Sequence, residues 1–250
     1  MSEQDVVFDR KHYQIINSAR EQFLRSCITE LPFRRELSTA LDVGCGAGYF
    51  SRILHEQGFS VTGLDLRREN IEVCQERYPD IKFGLIDLDE NFGEIGTYDL
   101  VLMFGILYHL QSPLQTIIRM SKAVGRVGVI STRVASGNEM AMYLYSENQG
   151  AANNVARSIA VPTFPAIVSM FSQAGFKFVY LPPAQPEHPE WSPIYGNGRR
   201  YSFVVSREAI AVPTWRLVNA PTFLTKWAPM KPHETLMHLV RRVVSRARNL

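Results

Sequence analysis

Cysteine is scarce in this chain: three in 250 residues, Cys27, Cys45 and Cys74, with no CxxC pair and no Cys/His cluster. Three scattered thiols cannot build a disulfide framework, and nothing is spaced like a metal site. A reducing cytoplasm is the expected setting, and no metal is expected. Long apolar runs are missing too; none approaches the ~20 residues that a membrane span needs. The opening stretch "MSEQDVVFDRKHYQ" is polar and charged, which predicts no secretory leader. Internal repeats and long low-complexity segments are also lacking, which argues against solenoid and fibrous classes.

What is present is ordinary globular material. Hydrophobic residues make up 46% and charged residues 20%, enough for a sizeable core in one large domain with or without an appendage. The net charge of +3 hides an asymmetry. Residues 209–250 hold seven Lys/Arg and one Asp/Glu, leaving 20 against 23 for residues 1–208. The body is mildly acidic and the tail basic. A nucleic-acid binder more often carries its positive charge as a stripe on the folded body, so nucleic acid is the less favoured partner.

The hydrophobic spacing predicts an N-terminal helix over residues 12–28, then strands and helices in alternation. Strands are expected at 40–43, 60–65, 81–87, 98–105 and 126–133. Helices are expected at 49–58, closed by Gly58, at 68–78, and at 112–124, with Ser112 as cap and Pro113 in the first turn. Residues 134–158 are dense in Gly, Asn and Ser and read as a loop. A helix at 163–175 and strands at 176–181 and 199–206 complete the pattern, with a proline-rich connection at 182–198. The fold class is therefore α/β: a Rossmann-like, doubly wound, mostly parallel seven-stranded sheet with an antiparallel edge strand. Three regions are expected: a helical lid over residues 1–39, a ligand-binding domain over 40–208, and a basic, helical tail over 209–250.

The chemistry concentrates at "ALDVGCGAGYFS", residues 40–51, where Gly44, Gly46 and Gly48 follow a short apolar run. Backbone this bare lets a ligand lie against the main chain. In a doubly wound fold the ligand sits beyond the carboxyl ends of the strands. A dinucleotide site would read GxGxxG, but Tyr49 stands where its third glycine belongs, and Asp42 precedes the first. A carboxylate there repels a diphosphate and tolerates a cationic ammonium or sulfonium.

"LDVGCGAG" resembles the first motif of the class I S-adenosylmethionine-dependent methyltransferases, and fitting positions continue over residues 40–206. The resemblance implies S-adenosylmethionine as cofactor. It implies that Asp65, ending "VTGLD", holds the ribose hydroxyls, as an acceptor-only carboxylate suits. It implies that Asp87 in "GLIDLD" reads the adenine amino group, with Leu88 beside it. Cys45, Leu66 and Phe104 complete the expected cofactor pocket. Tyr13 and Arg20, two turns apart on the first helix, are expected to close over it, with Arg20 facing the methionine carboxylate. "DLVLMFGILYHL" resembles the fourth motif, which carries residues on the acceptor side.

"FGILYHLQSPLQTI", residues 104–117, resembles more narrowly the tRNA wobble-uridine carboxymethyltransferase group. Only 39 residues precede Ala40, fewer than that group's extra N-terminal region, so a plain methyl donor is expected over a carboxylated one. "FDRKHYQIINSAREQFL" and "LDLRRENIEVCQ" are similar to glycan-associated methyltransferases, implying O-methylation of a glycan-linked or small polar acceptor; tRNA wobble-uridine carboxymethylation and a non-catalytic protein that keeps the cofactor pocket are the alternatives. His109, Tyr108 and His188 are the candidate general bases. His109 also reads as a structural histidine bonded to a loop carbonyl. Arg133, Arg199 and Arg200 are a candidate anion clamp, or solvated strand-end charge. In "ETLMHLVRRVVSRARNL" an apolar helical face lies beside Arg241, Arg242, Arg246 and Arg248. Such a helix suits peripheral contact with the inner face of a membrane; it suits equally a face that covers the body or a second subunit.

Overall fold

Alternate residues of the central strands feed two different cores, which is why those strands read as continuous apolar runs. The computed structural model describes residues 11–90, 93–146, 158–183 and 200–218. It contains strands β1 (Thr39–Val43), β2 (Ser60–Asp65), β3 (Lys82–Leu85), β4 (Tyr98–Phe104) and β5 (Val124–Arg133). Further along are β6 (Met142–Ser146), β7 (Ser158–Pro162), β8 (Phe178–Leu181), β9 (Arg200–Ser206) and β10 (Arg216–Val218). The helices are α1 (Lys11–Glu30), α2 (Tyr49–Glu56), α3 (Arg68–Arg77), α4 (Pro113–Ser121) and α5 (Phe164–Gln173).

The main sheet has the order β10-β8-β9-β5-β4-β1-β2-β3. Strands β3, β2, β1, β4 and β5 pair in parallel, while β9 is antiparallel to both β5 and β8. On β4, Leu100, Leu102 and Phe104 join Phe23, Leu24 and Ile28 of α1 and Ile53 and Leu54 of α2. Val101 and Met103 join Ile117 and Met120 of α4 and Ile167 and Phe171 of α5 on the other face. The sheet is thus covered on both sides, with its carboxyl-end loops left to form a site.

The doubly wound α/β class and the expected strands are present, with four corrections. The sheet has eight strands rather than seven. The late strand β9 is inserted between β5 and β8, and the antiparallel edge is β10. The stretch expected as loop holds β6, which pairs antiparallel with β7, a strand that begins at the last residue of that stretch, in a small second sheet. Residues after 208 are not all tail: Ile210 and Trp215 are buried, and the Trp215 indole donates to Glu30 of α1 at 2.8 Å. The folded body therefore extends through Val218.

The first helix also differs from expectation. A lid distinct from the scaffold would not bury Leu24 at 0% and Ile28 at 1% exposure. Arg25 bridges Glu56 at 3.2 Å, and the Tyr49 hydroxyl donates to Glu21, so α1 is fastened to α2. The second half of α1 is scaffold. Ser112 stands before α4 as expected, but its side chain caps no amide; Thr163 does cap α5, accepting from the Ala166 amide at 3.4 Å. His188, Arg199 and the tail beyond Val218 lie outside the described residues, as do the ends of the chain before Lys11.

Candidate active site

The strand-to-helix turn after β1 is built on left-handed glycines: Gly44, Gly46 and Gly48 have φ of 71°, 55° and 81°. L side chains rarely adopt that region. The turn is also crowded. A Cβ on Gly44 would lie 2.5 Å from Ile106 Cδ1, and one on Gly48 would lie 2.9 Å from Tyr78 Cε2. The amides of Gly44 and Cys45 both donate to the Leu64 carbonyl, at 2.7 and 3.0 Å, which ties the loop to the end of β2.

Asp65, the last residue of β2, completes that tie. Its Oδ2 accepts the Gly46 amide at 2.9 Å; its Oδ1 accepts the Arg67 amide and the Asn70 side-chain amide, each at 2.9 Å. A carboxylate offers about four acceptor positions. Three are used internally, so the carboxylate is held rigidly at the loop edge with acceptor capacity left for a ligand.

Asp42 behaves differently. It is 1% exposed, and its Oδ2 accepts the Ser51 hydroxyl of α2 at 2.7 Å. Burial pushes its pKa up to about 7; the Ser51 bond opposes the shift and the nearby Asp65 carboxylate adds to it. Asp42 braces the glycine loop against α2. Cys45 within the loop and Cys74 of α3 are both buried, the Cys74 thiol donating to the Gly46 carbonyl at 3.2 Å.

The remaining cofactor-side residues fall into two groups. Leu66 is 44% exposed beside Asp65, an apolar surface at the strand end. Phe104 ends β4 and packs edge-on against Phe50, with ring centroids 4.9 Å apart. Arg20 of α1 is 7% exposed, with its Cζ 5.8 Å from the Phe104 centroid. It lies over Gly105, whose added Cβ would come within 2.9 Å of Arg20 Nη2. Arg20 thus reaches the carboxyl end of β4. Asp87 accepts the Asp89 amide at 2.9 Å, a turn role. Leu88 is buried in the core on the α4 face, so its side chain offers no open surface. Of Tyr13 only the backbone, within α1, is described.

Beyond β4, a 3-10 turn over Leu107–His109 places Tyr108 and His109 together, with ring centroids 4.1 Å apart. Tyr108 is buried against two arginines: Arg133 and Arg200 stand with Cζ at 5.5 and 5.7 Å from its ring centroid. Arg200 also donates to the Tyr108 hydroxyl at 3.5 Å. Burial lowers the His109 pKa to about 4, helped by the charges of Arg133, Arg200 and Arg67. At neutral pH the imidazole is uncharged and able to accept a proton. Arg67 was not expected from sequence, because an arginine after a strand reads as surface charge, and Asn70 and Ser51 read as ordinary polar residues of their helices. Their only trace is position, directly after Asp65 or within two turns of the glycines. Among the described residues no group of His, Cys, Asp and Glu is arranged to hold a metal. No helix among them is long and apolar enough to cross a membrane.

The methyltransferase-domain family profile matches residues 16–181. A tRNA U34 carboxymethyltransferase from Mannheimia succiniciproducens is 30% identical over 149 residues, 56% of this chain and 45% of the relative. One from Shewanella halifaxensis is 32% identical over 130 residues, 48% of this chain and 39% of the relative. The chain spans about half the length, or less, of these curated relatives. Among solved structures, the N-terminal domain of EvdMO1 with SAH bound superposes with a TM-score of 0.58 at 17% identity, covering 75% of this chain and 81% of that one. An S-adenosylmethionine-dependent methyltransferase from Mesorhizobium loti gives 0.55 at 20%, covering 77% and 98%. At these identities the likeness is one of fold.

Proposed function

This chain belongs to the methyltransferase-domain family of S-adenosylmethionine-dependent enzymes, and from that premise we propose that it methylates an oxygen of a glycan-linked or small polar acceptor. The observation that carries the donor half of the reading is the clasp between Asp65 and the Gly46 amide at 2.9 Å, while the acceptor class rests on the sequence resemblance to glycan-associated methyltransferases. It holds a hydroxyl-accepting carboxylate against a turn kept bare by positive φ at Gly44, Gly46 and Gly48. That cradle fits a nucleoside whose ribose hydroxyl meets the carboxylate's remaining acceptor position and whose adjoining chain lies on the backbone.

Gly44, Cys45, Gly46 and Gly48 would hold the donor's chain, Asp65 its ribose, and Leu66 and Asp87 its base. Arg20 would meet its carboxylate from α1. When bound, S-adenosylmethionine supplies a methyl group already activated on a sulfonium. The protein's part is then alignment and exclusion of water. The carboxyl end of β4 presents Tyr108 and His109 to the acceptor. His109, uncharged with a pKa near 4, takes the proton of an alcohol acceptor without first losing one of its own. A phosphate or carboxylate acceptor needs no base at all.

A second reading is modification of tRNA, supported by the named relatives and by the resemblance of "FGILYHLQSPLQTI" to the motif of that group. The two readings differ in the donor they would retain. Mass spectrometry of the ligand released from purified protein distinguishes them. S-adenosylmethionine or S-adenosylhomocysteine is the expected finding. A carboxylated analogue would shift the assignment to the second reading.

A further inference from the structure

Building on the proposed reading of this site, we infer that the acceptor carries an oxyanion, a carboxylate or a phosphate, gripped by Arg133, Arg200 and Arg67. The sheet supplies the first part of the reasoning. Arg133 ends β5 and Arg200 begins β9, and the two are direct partners in the antiparallel register. Opposed residues in such a pair put their side chains on one face about 5 Å apart, and like charges there are destabilising. Both guanidiniums lean on the same tyrosine, Tyr108, at 5.5 and 5.7 Å. No carboxylate among the described residues pairs with Arg67, Arg133 or Arg200.

The second part is unmet bonding. Arg200 Nη1 and Arg67 Nη2 are buried without a hydrogen-bond partner. Buried donors of charged groups left unpaired are costly, and native proteins keep few of them. Arg67 follows Asp65 on the donor side of the site, yet its charge is felt at His109 on the acceptor side. Guanidiniums from the ends of β5 and β9 therefore meet at the turn after β4, Arg67 between β2 and α3 adds its charge there, and Arg200 and Arg67 hold nitrogens in reserve. A planar or tetrahedral oxyanion fills that need, since it accepts two N–H groups from each of several arginines. A neutral sugar hydroxyl would leave three positive charges facing one another.

Arginines kept for structure would stabilise the free protein. Arginines kept for a ligand strain it, so the free protein should tolerate their loss. The test uses the full chain saturated with S-adenosylhomocysteine. Inorganic phosphate and D-glucuronate are titrated while the arginine Nε–Hε resonances are followed by NMR, with D-glucose as the neutral control. Wild type should bind both anions at least tenfold more tightly than Arg133→Gln or Arg200→Gln, and Arg67→Gln should show a smaller loss. S-adenosylhomocysteine affinity should stay within twofold in Arg133→Gln and Arg200→Gln, and their melting temperatures should equal or exceed that of wild type. Equal anion affinity in wild type and the Arg133→Gln/Arg200→Gln double variant would overturn the proposal. So would lower melting temperatures in both single variants. It would also fall if S-adenosylmethionine carboxylated on its methyl group bound tenfold more tightly than the plain donor and lost that gain in Arg200→Gln, because the anion would then belong to the donor. Failure of S-adenosylhomocysteine to bind wild type would strike the donor assignment beneath it; retained binding without anion selectivity strikes this inference alone.

Discussion

Replacing Asp42 with asparagine should stabilise the protein, and by an amount that grows with pH. Asp42 is 1% exposed, and its pKa rises from 3.8 to about 7 in the folded state, chiefly through burial. A carboxyl whose folded pKa exceeds its unfolded value binds more protons when folded. Its contribution to stability is therefore best at low pH and is lost as pH rises from about 4 through about 7. A shift of about three units corresponds to about 4 kcal/mol of destabilisation above pH 7. At about pH 5 the linkage already costs about 1.5–2 kcal/mol, so the gap should widen by about 2–3 kcal/mol between about pH 5 and about pH 8. Asparagine keeps an oxygen for the Ser51 hydroxyl, which donates to Asp42 at 2.7 Å, and removes the titration. Urea unfolding of wild type and Asp42→Asn at both pH values measures the difference directly, with other titrating groups cancelling between the two proteins. A gap that is constant with pH, or that narrows as pH rises, would refute the placement of a charge-averse carboxyl beneath the glycine loop.

Other outcomes follow from the site. Asp65→Ala should weaken S-adenosylmethionine by about 2–3 kcal/mol in calorimetry, since charge-assisted bonds to the ribose go with the carboxylate. The same variant should lose some stability, because three internal bonds to Asp65 go with it. Gly44→Ala should lower both donor affinity and urea stability by more than about 1 kcal/mol, as a left-handed φ of 71° and a Cβ 2.5 Å from Ile106 act together. Arg20→Ala should weaken donor binding, and bound donor should slow hydrogen exchange over residues 14–26; unchanged exchange would leave α1 as scaffold throughout. If His109 is the base, turnover should be flat across neutral pH and fall only as pH drops towards about 4, where His109 becomes charged.

The parallel half of the sheet was legible because strands buried on both faces keep their side chains apolar in sequence, as in β1 and β4. The features that were missed lack such a signal. Strand β6 exposes Met142, Tyr143, Leu144 and Tyr145, so no face of it alternates and its Gly- and Asn-rich flanks dominate the pattern. Strand β10 is three residues long, and the insertion of β9 beside β5 is a matter of topology that no local spacing encodes. Within the site, the glycines and Asp65 announced themselves through chemistry that only that turn requires. Arg67 did not, because its charge acts at His109 only together with Arg133 and Arg200, which come from distant strands. The shift at His109 has the same origin: burial and three charges from separate elements move it from an ordinary imidazole pKa to about 4.

Equilibrium binding of S-adenosylmethionine and S-adenosylhomocysteine to the purified chain by calorimetry tests the central claim most directly, with Asp65→Ala as the comparison. Saturable binding of both ligands at one site, weakened at least tenfold in Asp65→Ala, is the predicted result. No binding of either ligand to wild type, or equal affinity in the variant, would contradict the assignment of the glycine turn and the end of β2 as the donor pocket.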